Sequence, residues 1–397
     1  MPGEAHALAV GVVPGGGGTG KAGACIPRPD EVVVDLSQMN RILEIHPADG
    51  YAVVEGGVIN AVFDRELNTL GYMYPPDPAS RESCTLGGNI ATNAGGPRAL
   101  KYGVTANYVW GTEVVLPGGD VVRPGRRSIK GVAGLNISAL MVGSEGTLGF
   151  VSRATLRIVP MPRDVQTAWL SFVDAATASR AAEKIFAAGL MPRMMEVLDR
   201  LSMDLVRPVS TFQIPKAGAA LLVETDGPEG YALNELTRLC EIATDHGAQD
   251  SAVATNEKQR LAMRRARQLV SSRMKEAYPH KISDDIAVPR SQMVTLLDYA
   301  EQRAAKHSVT LATYGHMGDG NLHINLLCDK KQRPMAEEAR THVLKFAISI
   351  GGTISGEHGI GLTKRHQLPW QQASELLTLQ QTLKHGFDPQ GIMNRGK

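Results

Sequence analysis

The sequence predicts an α+β fold, and three observations predict it. Residues 1–160 carry short strand-like runs bounded by Gly, Pro, Asn or Asp, with sparse helical periodicity. From about residue 163, apolar strand-like runs alternate with amphipathic helical stretches, the pattern of an α/β or α+β module. Glycine numbers 42 in 397 residues. That is about one and a half times an average usage of roughly 7%, and the glycines are clustered rather than periodic. Clustered glycine marks backbone that approaches something closely. The length fits about two to three domains, with boundaries expected at 1–160, 161–373 and 374–397.

In the first part, strands are expected at 31–36, 52–54, 112–116 and 154–159. Residues 58–70 are the one helical pattern there, with Val58, Val62, Leu67 and Leu70 near one face. In the second part, strands at 168–173 and 219–224 precede helices at 174–188 and 230–246. A long, very basic helix follows at 256–277. Strand character returns at 309–327 around a glycine turn, and helices are expected at 336–350 and 374–384.

Hydrophobic residues make up 43% and charged residues 21% of the chain, ordinary material for a buried core. Lys plus Arg total 42 against 40 Asp plus Glu, a net charge of +2. That balance gives no footprint for nucleic acid and no strong pull toward an anionic membrane. No run of about 18 apolar residues occurs, so no transmembrane segment is expected. The apolar stretch 7–13 is short and follows no Lys or Arg, unlike a secretory signal. Cys25, Cys84, Cys240 and Cys328 are far apart in sequence. They form no CxxC motif and are a poor set for an iron–sulfur cluster held by this chain alone. They fit a reduced, cytoplasmic compartment.

Three glycine segments carry the first functional signal. Residues 14–20 read PGGGGTG. Consecutive unobstructed N–H groups there can make an anion-binding nest, read either as a pyrophosphate cradle or as a flexible linker. Ala22 breaks the Walker A pattern after Lys21, and no clean GxGxxG opens a helix. Residues 75–103 read PPDPASRESCTLGGNIATNAGGPRALKYG, and residues 142–149 read VGSEGTLG. Long loops of this kind tend to be functional.

The second signal lies downstream. Residues 314–325 read YGHMGDGNLHIN. Gly318-Asp319-Gly320 is a turn signal between two strand-like runs. On one straight strand His316 and His323 would face opposite ways, whereas a hairpin lets both point at one locus. Two such histidines invite a divalent metal. Ser355-Gly356-Glu357-His358-Gly359 offers Glu357 as a third ligand and His358 as a base with an ordinary pKa near neutrality. Two histidines and one carboxylate leave coordination positions open, a catalytic arrangement. Arg264, Arg265 and Arg267 crowd one helix and could bind a carboxylate through the planar guanidinium.

Taken together, these motifs resemble the FAD-linked oxidases of the vanillyl-alcohol oxidase type. The resemblance is closest to the branch of glycolate oxidase flavoprotein subunits and D-lactate and D-2-hydroxyglutarate dehydrogenases. It covers nearly the whole chain. It implies a two-lobed FAD-binding domain at 1–160, an α/β substrate cap domain with a metal site at 161–373, and a C-terminal segment at 374–397 returning to the FAD domain. Relatives carry further residues before the first loop, so the first lobe is expected to be incomplete at its N-terminus. The resemblance implies FAD diphosphate on Gly16, Gly17, Gly18, Thr19 and Gly20. It places the rest of the cofactor on Pro76, Ser80, Gly87 and Gly88, and on Asn89, Asn93 and Gly95. No histidine lies between His6 and His46, so non-covalent FAD is expected. The family commonly reads GTGLSGG where this chain has GTGKAGA, and Arg395 stands where its closing FDPxxILNPGK motif has Pro.

The pattern HxGDGNLH with a later GEHG resembles the metal-dependent 2-hydroxy acid dehydrogenase branch. By that resemblance His316, His323 and Glu357 hold zinc, iron or manganese, His358 is the base, and Asn325 contacts substrate. Arg265 takes the substrate-arginine position, ahead of its neighbours and of Lys281. The expected activity is FAD-dependent oxidation of glycolate or D-lactate, with D-2-hydroxyglutarate the alternative substrate. A partner iron–sulfur protein or electron-transfer flavoprotein is expected to take the electrons, and any membrane association to run through such a partner. The reading of another class is a non-catalytic flavin-domain subunit serving as scaffold. A scaffold, however, has no need of His316, His323, Glu357 and His358 together.

Overall fold

The computed structural model describes residues 2–397. The chain forms two compact units. The first takes residues up to Gly96, then Gly103–Met161 and Glu357–Lys397; the second takes Pro97–Tyr102 and Pro162–Gly356. The second boundary thus falls at Gly356, ahead of the 373 expected from sequence.

The first unit holds a parallel pair, β1 (Gly11–Gly15) and β2 (Glu31–Asp35). It also holds a five-stranded sheet of β3 (Ile42–His46), β4 (Tyr51–Glu55), β6 (Val109–Val115), β7 (Val121–Val122) and β8 (Phe150–Arg157). Its order is β3-β4-β8-β6-β7, antiparallel throughout. A two-residue ladder pairs β5 (Tyr72–Met73) with β9 (Val159–Pro160). The C-terminal segment packs in this unit. Met393 bridges Val12 in parallel fashion, and Val12, Leu36, Phe150, Ile392 and Met393 share one apolar cluster. Asp388 caps the turn before it, accepting from Ile392 N at 3.0 Å and Met393 N at 2.7 Å, and pairs with Lys384.

The second unit is built on a seven-stranded antiparallel sheet. Its strands are β10 (Asp164–Phe172), β11 (Met194–Asp199), β12 (Ala219–Gly227), β13 (Ala248–Val253), β14 (Ile282–Ala287), β15 (Thr310–His316) and β16 (Asn321–Leu327). Their order is β13-β10-β12-β11-β15-β16-β14. One sheet face presents Trp169, Leu198, Leu222 and Tyr314 to Met203 and Val206 of the helix Arg200–Val206. The same cluster takes in Met263, Ala266, Val270 and Met274 of the helix Glu257–Ala277. Those four positions recur at helical spacing, so they define the buried stripe of an otherwise basic helix. Pro97–Tyr102 joins this unit because Lys101 and Tyr102 bind the buried Asp226, the tyrosine Oη donating to Oδ2 at 2.6 Å.

Candidate active site

In the first unit the glycine segments converge. The first loop leaves the end of β1 and lies directly on the second segment. A side chain at Gly17 would collide with the Ser83 carbonyl oxygen, and one at Gly16 would stand 2.5 Å from Thr85 Oγ1. Backbone can pass there only without a Cβ. Gly18 and Gly20, by contrast, face open space. Thr85 caps the helix Leu86–Thr92, its hydroxyl accepting from Gly88 N at 3.2 Å. Gly87 and Asn89 are buried in that helix. Asn93 ends it in the left-handed region, with φ 50°, and its Oδ1 accepts from Ala106 N at 2.9 Å. Pro76 accepts from Asn60 Nδ2 at 3.1 Å, and Ser80 accepts through its carbonyl from Ser83 N and Cys84 N, both at 2.8 Å. The third segment meets the first where Gly146 lies against Pro14.

Glu145 of that third segment ties down the loop that follows His358. Its Oε1 accepts from Ile360 N at 2.5 Å and its Oε2 from Gly361 N at 2.8 Å. Burial raises its pKa, against the pull of those two N–H donors. Its backbone joins two further segments, donating from N to Ala91 O at 2.7 Å and accepting at O from Asn394 Nδ2 at 2.6 Å. Glu357 and His358 therefore sit on a fixed loop, with 3.8 Å between Glu357 Oε1 and His358 Nε2. Gly95 borders Glu357, since a Cβ there would lie 3.0 Å from Oε2.

In the second unit β15 and β16 form the predicted hairpin. Tyr314 pairs with His323 and His316 with Asn321. Directly opposed residues share a face, as do positions two apart, so both histidines lie on one side of the sheet. Their rings meet edge to face at 5.5 Å, and both residues are buried. His316 Nδ1 lies 2.5 Å from Oε1 of the fully buried Glu196 on β11. Arg267 reaches the same carboxylate, Nε to Oε2 at 2.8 Å, and stacks over Tyr314 at 4.7 Å. Asp285 on β14 faces His323 in register, accepts from Asn321 Nδ2 at 2.6 Å, and accepts from Ser355 Oγ at 3.2 Å. Gly356, which ends this unit, donates to the Asp285 carbonyl at 3.3 Å.

Two further expected site residues have the following surroundings. Asn325 is completely buried, and its amide is saturated within the unit. Its Oδ1 accepts from Lys281 Nζ at 3.1 Å and Ser283 Oγ at 2.7 Å; its Nδ2 donates to Ala312 O at 3.2 Å and His323 O at 3.0 Å. An amide offers two acceptor sites and two donors, and all four are used within the unit. Asn325 thereby holds Lys281 and the strand carrying His323. Arg265 lies on the exposed side of its helix. Its neighbours are bound to buried carboxylates. Arg264 lies 3.5 Å from Glu224, which Thr167 also donates to at 3.0 Å, and Arg267 takes Glu196.

Glu196, Asp285 and Glu145 were not singled out by the motifs. The signal for Glu196 was a lone carboxylate in the apolar run Met194–Leu198, because a buried charge requires a partner. Asp285 had no comparable signal, since its partners are 36 and 70 residues away in sequence.

This fold and these motifs define an FAD-linked oxidoreductase. Residues 3–125 match the model of an FAD binding domain, and residues 161–397 that of the FAD linked oxidases, C-terminal domain. The chain belongs to the FAD-linked oxidase family. It is 37% identical over 392 residues to a glycolate oxidase subunit GlcD of Bacillus subtilis (strain 168), covering 98% of this chain and 83% of that protein. A D-lactate dehydrogenase of Archaeoglobus fulgidus is 32% identical, covering 96% and 84%. A D-2-hydroxyglutarate dehydrogenase of Stutzerimonas stutzeri is also 32% identical, covering 99% and 86%. Among solved structures, p-cresol methylhydroxylase with substrate bound gives a TM-score of 0.79 at 14% identity, over 98% of this chain and 84% of that one. Alkyldihydroxyacetonephosphate synthase gives 0.76 at 20% identity, over 100% and 73%. At these identities the likeness is one of fold, the vanillyl-alcohol oxidase type.

Proposed function

We propose that this chain oxidises a D-2-hydroxy acid, glycolate or D-lactate, to the corresponding 2-oxo acid. The observation that carries the reading is the His316–His323 pair on one sheet face, braced by Glu196 and Asp285, in a chain of the FAD-linked oxidase family. The names of the relatives support the same substrate class, and D-2-hydroxyglutarate is the alternative within it.

The first glycine loop fits a flavin nucleotide. Its Gly16–Gly17 side is packed against the protein while Gly18 and Gly20 face open space, so its N–H groups are available to a diphosphate. FAD is held without a covalent link in this reading. Bound flavin supplies the hydride acceptor. The two imidazoles also fit a divalent ion, with Glu357 as third ligand, and zinc, iron or manganese all suit the donor set. Such an ion supplies charge stabilisation to a substrate alkoxide. Glu196, fixed at His316 Nδ1, assigns Nε2 as the ligating atom.

The chain's own residues do the rest. His358, on the loop fixed by Glu145, accepts the hydroxyl proton while the C2 hydrogen leaves as hydride. Arg265 makes no ion pair among the described residues, whereas Arg264 and Arg267 are committed to buried glutamates. In this reading Arg265, exposed and uncommitted, takes the substrate carboxylate on the strength of the family resemblance alone. The electrons then pass to a separate iron–sulfur protein or electron-transfer flavoprotein. No helix among the described residues is long and apolar enough to cross a membrane. The cytoplasmic setting rests on cysteine content. Replacement His358→Ala tests the assignment: turnover is expected to fall by roughly 10²–10⁴-fold with flavin retained. Intact turnover would remove His358 as the base.

A further inference from the structure

A second cluster of metal-ligating side chains lies in the second unit and shares no residue with the site above. His307 follows the helix Met293–Lys306, and Glu338 and His342 lie one turn apart on the helix Arg333–Ser349. The two helices pack directly, with Tyr299 stacked on Phe346 at 3.8 Å. Glu338 stands between the imidazoles. Its Oε2 is 3.7 Å from His307 Nδ1 and its Oε1 is 3.9 Å from His342 Nε2. One donor atom from each of the three residues lies within 4.8 Å of the other two. Both carboxylate gaps are too long for hydrogen bonds. They are slightly wider than the ~3.4 Å between neighbouring ligands of a tetrahedral ion with bonds of about 2.0–2.1 Å.

His307 supplies the independent observation. Its side chain is only 10% exposed, and its Nε2 is buried with no hydrogen-bond partner. Its Nδ1 points at Glu338 from beyond hydrogen-bond range. A metal ion on Nδ1 would give the nitrogen that faces Glu338 the partner it lacks, while Nε2 stays buried on the far side of the ring. Glu338 and His342 are 63% and 45% exposed, so solvent can complete the coordination.

We propose that His307, Glu338 and His342 form a second divalent-metal site, of the two-imidazole, one-carboxylate class that takes zinc. The ion clips the end of one helix to the face of the next. This site stands on its own three residues and does not depend on the flavin reaction.

The test uses the full chain, stripped of metal by chelation and titrated with Co²⁺, whose visible d–d absorption reports ligation. Two equivalents are expected in the parent chain. His342→Ala or Glu338→Gln is expected to lose one equivalent with turnover unchanged, and both residues are exposed enough for these variants to fold. In a His323→Ala chain one equivalent is expected to remain and to disappear when His342→Ala is added. Zn²⁺ is expected to raise the melting temperature of the His323→Ala chain, and not after His342→Ala. A parent chain that binds one equivalent, lost on His342→Ala and untouched by His323→Ala, keeps this site and removes the catalytic ion. Unchanged stoichiometry and affinity in both His342→Ala and Glu338→Gln would overturn the site.

Discussion

The Glu196 carboxylate holds His316 at 2.5 Å through Nδ1, and Arg267 holds that carboxylate from the other side at 2.8 Å. The ring of His316 is thereby fixed in tautomer and direction by a group 120 residues away in sequence. Partners of this kind usually contribute about 10–100-fold in metal affinity or activity. Glu196→Gln should lower kcat/KM within that range, with flavin content unchanged. Equal kcat/KM for the variant and the parent would show that the contact is structural only.

The first loop makes a different prediction. Gly17→Ala places a methyl group into the Ser83 carbonyl. The loop must shift, and flavin should be lost on gel filtration. The ratio of visible to ultraviolet absorbance of the purified protein measures this. A Gly17→Ala protein with full flavin occupancy would mean that the nucleotide lies elsewhere.

The arginine assignment separates by substitution. Arg265→Ala should raise KM by roughly 10–100-fold, the worth of about 1.5–3 kcal/mol for a hydrogen bond to a charged group, while stability stays near that of the parent. Arg264→Ala should instead lower stability, because Glu224 loses one of the cations around it. Urea unfolding beside steady-state kinetics distinguishes them, and the opposite pattern would exchange their roles.

How much of this was readable beforehand varies by element. The His316–His323 hairpin was legible because a period of two and a glycine turn are local properties. The long basic helix was legible too, and so in principle was its buried stripe at Met263, Ala266, Val270 and Met274. That stripe sets Arg264 and Arg267 beside the sheet, and Arg265 is exposed. The hydrogen bonding of Asn325 was not legible, because saturation of its amide depends on Lys281, Ser283 and Ala312, which come from two other strands and the loop before one of them. Cross-strand partners of that kind follow from sheet order, and sheet order is not written in any single segment.

Asp388 carries the pH dependence. Burial opposes its charge, yet bonding to Lys384 and to the N–H groups of Met393 and Ile392 holds its pKa below the ordinary carboxylate value. A carboxyl lowered in the folded state stabilises the fold fully above its unfolded pKa. That contribution is lost as the pH falls through the folded value. Asp388→Asn should therefore cost about 3 kcal/mol near pH 7, and the difference from the parent should shrink below about pH 4, where the unfolded carboxyl protonates. Denaturant unfolding at the two pH values checks it; a difference constant across pH would remove the charge from the account.

The most direct measurement is the visible spectrum of the purified chain before and after anaerobic addition of glycolate, D-lactate and D-2-hydroxyglutarate. Flavin bands that bleach with one of these acids, and not with L-lactate, are the predicted result. A flavin spectrum that none of the D-2-hydroxy acids alters would contradict the proposed reaction.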